Sequence, residues 1–189
     1  VELESLQYAE EMNESQLREI MNIYGEDVWH YIYYLTKNTG QADDLAQEVF
    51  IKCYYRICTY RGESSFKAWL LTIARNTVFT YRKSRFYRTS LWGGVQPLVA
   101  GTEEQELPLE QLGTTRSAEM EYLGNSQAQD IWAVIMALPD KYREVLVLDL
   151  KYGLTIKEIA GMAGLPQGTV KSRLHRARQK VQSKLRGAE

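Results

Sequence analysis

"LTIKEIAGMAGLPQGTVKSRLHRARQKV", Leu154 to Val181, is the stretch on which the fold turns. Two segments of helical periodicity flank Gly164-Leu165-Pro166. Thr155 followed by Glu158 fits a capping box, in which the hydroxyl accepts a free backbone N–H and the carboxylate takes the N–H of the cap. The helix so started turns Ile156, Ile159, Ala160 and Ala163 inward, and Ala160 is small where two helices should cross closely. Gly164 suits the left-handed position that ends a helix, Leu165 can plug the turn, and Pro166 suits the start of the next helix. In that second helix Val170, Leu174, Ala177, Val181 and Leu185 form one buried stripe. Lys171, Ser172, His175, Arg176 and Arg178 are thereby forced outward. A basic helix face alone is usually a solvated one. A capped first helix, a small crossing residue, a glycine break and an acid-free second helix at this spacing together predict a DNA-reading helix-turn-helix. In such a motif the N-terminal end of the second helix meets base edges and cations further along reach phosphates. Arg and Lys suit guanine O6/N7, and Ser pairs with either partner.

Working upstream, helical periodicity recurs at about Lys141–Lys151 (Tyr142, Val145, Leu146, Leu148). Another helix starts at about Ser126 (Ile131, Val134, Ile135, Leu138) and stops at "LPDK". Before residue 90 four more helical segments are expected: Ser15–Tyr24, Glu26–Asn38, Gln41–Cys58 and Ser65–Arg85. No stretch alternates with period two, so no sheet is expected. From Thr89 to Gly124 the pattern dissolves into Gly pairs, prolines and a Glu cluster, which reads as a linker. The expected fold is all-α, two small helical domains joined by a flexible acidic linker. The boundaries are 1–14 (N-terminal extension), 15–88 (first domain), 89–125 (linker) and 126–189 (helix-turn-helix domain).

A net charge of −1 conceals a strong segregation. Residues 67–88 carry Lys67, Arg75, Arg82, Lys83, Arg85 and Arg88 without an acid. Residues 166–186 are likewise acid-free, whereas residues 103–121 hold six glutamates against Arg116 alone. Two basic segments divided by an acidic one suggest two nucleic-acid-facing modules. No apolar run approaches the ~20 residues that span a bilayer, so no direct membrane insertion is expected. The acidic N-terminal stretch does not read as a signal peptide. Cys53 and Cys58 fit neither a redox motif nor a zinc pair and read as buried thiols of a reducing cytoplasm. With His30 and His175 far apart, no metal site and no cofactor are expected. No Walker loop, nucleophile elbow or catalytic dyad is present, so the chain is not expected to be an enzyme.

Three blocks together resemble a known family. "LPDKYREVLVLDLKYGLTIKEIAGMAGLPQGTVKSRLHRARQKV" is similar to domain 4 of bacterial extracytoplasmic-function (ECF) sigma factors. "QADDLAQEVFIKCYYRI" resembles the family's region 2.2 helix, and "YRGESSFKAWLLTIARNTVFTYRK" its regions 2.3 and 2.4. The blocks stand in the family's order, with a variable acidic linker in its usual place. Residues 1–14 and the linker are not covered.

The resemblance implies a dissociable sigma subunit of bacterial RNA polymerase, cytoplasmic, directing promoter-specific initiation. It assigns Asp44, Gln47 and Glu48 to the β′ clamp helices; read alone, they are a solvated polar face near a helix N-terminus. It assigns the loop Tyr60–Phe66, with Arg61, Gly62, Ser64, Ser65 and Phe66, to capture of a base flipped from the −10 element. Arg75, Asn76, Arg82 and Lys83 would contact the same strand. An amide such as Asn76 suits bidentate base contacts, and the cations suit phosphates. Read alone, Ser64 or Ser65 is a helix cap, and Trp69 is a core residue rather than a stacking platform. Tyr81 is a weaker stacking candidate. Thr169, Lys171, Ser172, Arg173, His175, Arg176 and Arg178 would read the −35 element. The implied partners are core polymerase (β′ clamp helices and β flap), promoter DNA and a membrane-anchored anti-sigma factor. The competing reading is a helix-turn-helix regulator acting without core polymerase. It would need a receiver or ligand-binding domain, which residues 1–90 do not suggest.

Overall fold

The computed structural model describes residues 6, 7, 9–93 and 126–186. Among these residues the chain is all-helical: α1 (Glu14–Thr36), α2 (Thr39–Arg56), α3 (Phe66–Gly93), α4 (Ser126–Met136), α5 (Asp140–Leu150), α6 (Ile156–Ala163) and α7 (Gln167–Arg186), with a 3-10 turn (Ile57–Thr59) after α2. The expected linker lies, from residue 94 to 125, outside the described residues.

The two helices expected at Ser15–Tyr24 and Glu26–Asn38 are one. A glycine inside a helix costs only about 1 kcal/mol relative to alanine, and the buried stripe Ile20, Tyr24, Val28, Tyr31, Ile32, Leu35 runs straight past Gly25. A capping box starts this helix: the Asn13 side chain accepts the Gln16 N–H at 2.8 Å, and the Gln16 side chain accepts the Asn13 N–H at 2.9 Å. Lys37 ends it at φ 55°, and Asn38 then caps α2 by accepting the Gln41 N–H. Helix α3 also outruns its expected end near Arg85: no Gly or Pro interrupts the chain before Gly93, so nothing there stops it.

Helices α1–α3 pack as a three-helix unit around Val28, Ile32, Val49, Cys53, Leu70 and Val78. Helices α4–α7 enclose Leu138, Leu146, Leu148, Ile159, Val170 and Leu174. The units meet where α5 lies on α1 and α6 lies on α3. That contact explains why α5 is buried from Arg143 to Leu148 although two of those residues are charged. Arg143, 2% exposed, donates to the carbonyls of Tyr34 (2.9 Å) and Leu138 (2.9 Å) and to Asp140 (2.6 Å). Tyr34 stacks on Trp132 at 5.8 Å, Tyr31 meets Tyr152 edge-on, and the Tyr152 hydroxyl donates to the Asp27 carbonyl. Among the described residues no buried side-chain nitrogen or oxygen lacks a partner, as a native polar interface requires.

Cys53 is buried, and burial pushes its thiol up to about 12. Cys58 is exposed, contrary to the expectation of two buried thiols. It falls beyond the end of α2, in the 3-10 turn, where the helical phase no longer applies. Among the described residues no helix is long and apolar enough to cross a membrane.

Candidate nucleic-acid interface

The helix-turn-helix forms as its local signals dictate. Thr155 accepts the Glu158 N–H, and Glu158 Oε2 accepts the Thr155 N–H at 2.9 Å and its hydroxyl at 2.8 Å. Gly164 ends α6 at φ 66°, and the Leu165 N–H returns to the Ala160 carbonyl. Ile159 and Ala160 are buried as expected; Met162 joins them, while Ile156 and Ala163 are only half-buried. In α7 Val170, Leu174 and Ala177 are buried and Val181 and Leu185 half-buried. That stripe leaves Lys171, Ser172, His175, Arg176 and Arg178 exposed on one outer face, with Arg173 and Thr169 half-buried at its edge. The Ser172 hydroxyl donates to the Thr169 carbonyl at 2.9 Å. Arg178 is held by Asp149 of α5 at 2.7 Å.

On α2, Asp44, Gln47 and Glu48 are exposed above the buried Leu45, Ala46 and Val49. Their face continues into Ile51, 57% exposed, and Tyr55, 76% exposed. Asp44, Glu48, Ile51 and Tyr55 follow one another at helical spacing, so acidic and apolar residues share one stripe. The sequence carries a signal for this extension beyond Glu48: large apolar residues fall on the polar phase of the helix. Lys52 pairs with Glu48 at 2.6 Å and also donates to Thr77 of α3, tying this face to the next helix.

The loop and α3 tell a different story. Ser65 caps α3: its hydroxyl oxygen accepts the Ala68 N–H and its carbonyl the Trp69 N–H. Phe66 is 3% exposed and packs with Tyr24, Tyr60 and Trp69, so it supports the loop from beneath rather than facing a base. Trp69 is half-buried in the same cluster, and Tyr81 packs half-buried against the core. Asn76 and Lys83 are exposed on α3, as are Arg61 and Gly62 in the loop, and Ser64 is half-buried. Phe79, outside the expected set, is 40% exposed between two cations, with Arg75 at 4.4 Å and Arg82 at 5.8 Å from its ring centre.

Three of the expected strand contacts are already bonded to carboxylates of the C-terminal unit. Ser65 gives both its N–H (3.1 Å) and its hydroxyl (2.6 Å) to Glu158. Arg75 Nε donates to Glu144 at 2.6 Å. Arg82 donates to Asp140 at 3.2 Å and to the Leu35 carbonyl. The Tyr31 hydroxyl, on a fully buried ring, donates to the same Glu144 oxygen at 3.2 Å. Glu158 thus serves two helix N-termini with one carboxylate, its own and that of α3, where negative charge is favoured. Burial alone would raise its pKa, but the hydrogen bonds from Ser65 and Thr155 outweigh that and bring it down to about 2.

The comparisons with known proteins fit this geometry. The sigma-70 region 2 family model matches residues 20–86, and the model for sigma-70, region 4 matches residues 128–181. The chain is 32% identical over 171 residues to the ECF RNA polymerase sigma factor SigW of Bacillus subtilis, covering 89% of this chain and 88% of that one. It is 32% identical over 147 residues to the ECF RNA polymerase sigma-E factor of Escherichia coli K12, covering 78% and 75%. Two solved structures share the fold. One is the sigma factor RpoE with the anti-sigma factor NepR from Bartonella quintana (TM-score 0.64, 24% identity, 89% of this chain and 96% of that one). The other is CnrH with the cytosolic domain of CnrY (TM-score 0.59, 20% identity, 94% and 92%).

Proposed function

This chain belongs to the ECF sigma-factor family, as a sigma subunit that directs promoter-specific transcription, and on that premise we propose how its surfaces divide the work. The N-terminal unit, residues 15–88, docks on the polymerase through Asp44, Gln47, Glu48, Ile51 and Tyr55 of α2, against the β′ clamp helices. Exposed acids steer a basic partner and set register, and the apolar end supplies buried area. The Tyr60–Ser65 loop and α3 take the −10 strand: Arg61, Gly62, Ser64 and Ser65 frame a flipped base, Asn76 reads an edge, and Arg75, Arg82 and Lys83 hold phosphates. Extruding a base costs a few kcal/mol of stacking, offset by a shaped pocket. The C-terminal unit, residues 126–189, reads the −35 duplex through Lys171, Ser172, Arg173, His175 and Arg176, with Thr169 and Arg178 flanking, and rests on the β flap. The linker, residues 89–125, runs between them. A membrane-anchored anti-sigma factor restrains the protein in the cytoplasm, and no catalysis is assigned to it.

The observation that carries the −10 assignment is the carboxylate on each of Ser65, Arg75 and Arg82. These donors already hold anionic oxygens in hydrogen-bond geometry, which is what strand phosphates require. The test is transcription in vitro with bacterial core polymerase and a promoter library randomised over both elements, with and without this protein. Discrete starts enriched in one −35 and one −10 sequence are expected. Duplex binding without any start would favour the regulator reading and remove the assignments on α2 and α3.

A further inference from the structure

The described residues before α1, 6, 7 and 9–13, belong to no family block, yet they are built into the molecule. Leu6 is 0% exposed and Met12 4%. The Ala9 N–H closes a turn on the Leu6 carbonyl, and the segment ends at Asn13, which caps α1. Between these anchors Gln7 reaches the loop: its side-chain amide donates to the Arg61 carbonyl at 3.2 Å. Gly62 lies directly beneath it. A Cβ at position 62 would overlap the Gln7 amide, and the backbone there has φ +71°. Glycine is therefore required for the turn, and a side chain there would also push the Gln7 amide off the Arg61 carbonyl.

We propose that Gln7, anchored by Leu6, is a positioning residue for the loop that captures the flipped base. This rests on the reading of Tyr60–Ser65 given above. The loop has two supports. At Ser65 it is held by Glu158 from the C-terminal unit, and at Arg61 and Gly62 by Gln7 from its own unit. For Ser65 to face DNA the Glu158 contact has to be given up. The Gln7 contact needs no such release, because both its ends, Gln7 and the Arg61 carbonyl, lie on the N-terminal side of the molecule and no group of the C-terminal unit takes part in it. Gln7 therefore keeps the Arg61–Gly62 turn in place when the strand arrives, which lowers the ordering cost of capture.

The experiment uses full-length protein assembled with core polymerase. Gln7→Met keeps the length of the side chain but cannot donate; Leu6→Ala removes the anchor and Leu6→Met keeps it. Arg61→Ala serves as the reference variant of the loop itself. Affinity for a labelled non-template −10 oligonucleotide is measured beside affinity for −35 duplex, and base preference is read from the randomised promoter library. Gln7→Met is expected to weaken the −10 strand about three- to tenfold, the worth of one hydrogen bond. It should also flatten preference at the captured base and leave −35 binding unchanged. Leu6→Ala should follow it, and Leu6→Met should restore both readouts. Unchanged strand affinity and preference in Gln7→Met, with loss in Arg61→Ala, overturns the positioning role and leaves the loop reading intact. Unchanged behaviour in both variants overturns the loop reading, and the positioning role falls with it. Equal losses on −10 and −35 DNA mark a general folding defect and also overturn it.

Discussion

Helix α7, the proposed recognition helix, and the α3 surface are both strongly basic and acid-free, and the fold treats them in opposite ways. The outer face of α7 lies open, with ties among the described residues only toward α5, from Arg178 to Asp149 and from Lys180 to the Tyr142 ring. The α3 surface is partly covered: Glu158, Glu144 and Asp140 of the C-terminal unit sit on Ser65, Arg75 and Arg82, while Asn76, Phe79 and Lys83 stay exposed. The α2 face proposed to meet the polymerase resembles α7 in staying exposed. On the proposed division of work, duplex reading and polymerase docking need only surface, whereas strand capture requires contacts within the molecule to be exchanged.

The covering contacts are unequal. Arg82–Asp140 is exposed at both ends, 39% and 61%, and is worth about 0–1 kcal/mol. Arg75–Glu144 is 18% and 8% exposed and shares its oxygen with buried Tyr31. Deleting one partner of a buried pair typically costs about 3–5 kcal/mol, because the other charge is stranded. Separating the two units is different, since both charges regain water. Such a pair holds the closed arrangement in register without making it hard to open. Glu144→Ala is therefore expected to have the largest effect: a loss approaching about 3 kcal/mol in urea unfolding, with free chain binding single-stranded −10 DNA more tightly. An unchanged urea midpoint would show that the cover does not depend on this pair.

Next in size is acid sensitivity at the junction. His30 is 7% exposed, between Trp29 and Tyr34, with Glu26 at 4.0 Å from its Nδ1. Burial and then Lys151 of the C-terminal unit hold its pKa down to about 4 against the opposing pull of Asp27. The unfolded chain, at about 6.5, takes up this proton first. Stability from neutral His30 is thus complete above pH 6.5 and lost as pH falls to about 4, by roughly 2–3 kcal/mol. Glu158, also depressed, keeps its contribution above pH 4.5 and loses it only toward pH 2, so the two windows barely overlap. Unfolding midpoints of His30→Phe across pH 7 to 4 should lack the slope of the parent protein; the same slope in both would place the proton elsewhere.

What the sequence made legible follows from the range of each interaction. The caps and main stripe of the helix-turn-helix are legible in the sequence, because Thr155, Glu158, Gly164 and Val170, Leu174 and Ala177 act within one or two turns, although Ile156, Ala163, Val181 and Leu185 are less buried than expected and Met162 more so. The polar phase of α2 was readable for the same reason, though its continuation into Ile51 and Tyr55 was passed over. The cover on α3 was not readable. Ser65 and Glu158 are 93 residues apart and Arg75 and Glu144 69, and nothing local marks Glu144 as different from any surface glutamate. Phe66 illustrates the limit: a resemblance placed it at the DNA, and packing with Tyr24 and Trp69 placed it below the loop. Gln7 shows the same limit from the other side, since its partner is 54 residues away.

The open faces give smaller, cleaner effects. Asp44→Ala with Glu48→Ala should weaken binding to core polymerase about tenfold, or about 1.4 kcal/mol, with folding stability changed by less than about 0.5 kcal/mol. Competition against the unaltered protein for core polymerase measures the first and urea unfolding the second; undiminished polymerase affinity would remove α2 from that interface. Smallest of all is the tie on the recognition helix. Arg178 is 59% exposed and Asp149 23%, so water already screens the pair. Asp149→Asn releases Arg178 toward a phosphate and removes a nearby negative charge. It should tighten −35 duplex binding by no more than about fivefold, or about 1 kcal/mol, and the gain should shrink as salt rises. If the gain instead matched that of Glu144→Ala on the −10 strand, α7 would be as firmly covered as α3. The contrast between an open duplex reader and a covered strand reader would then have to be given up.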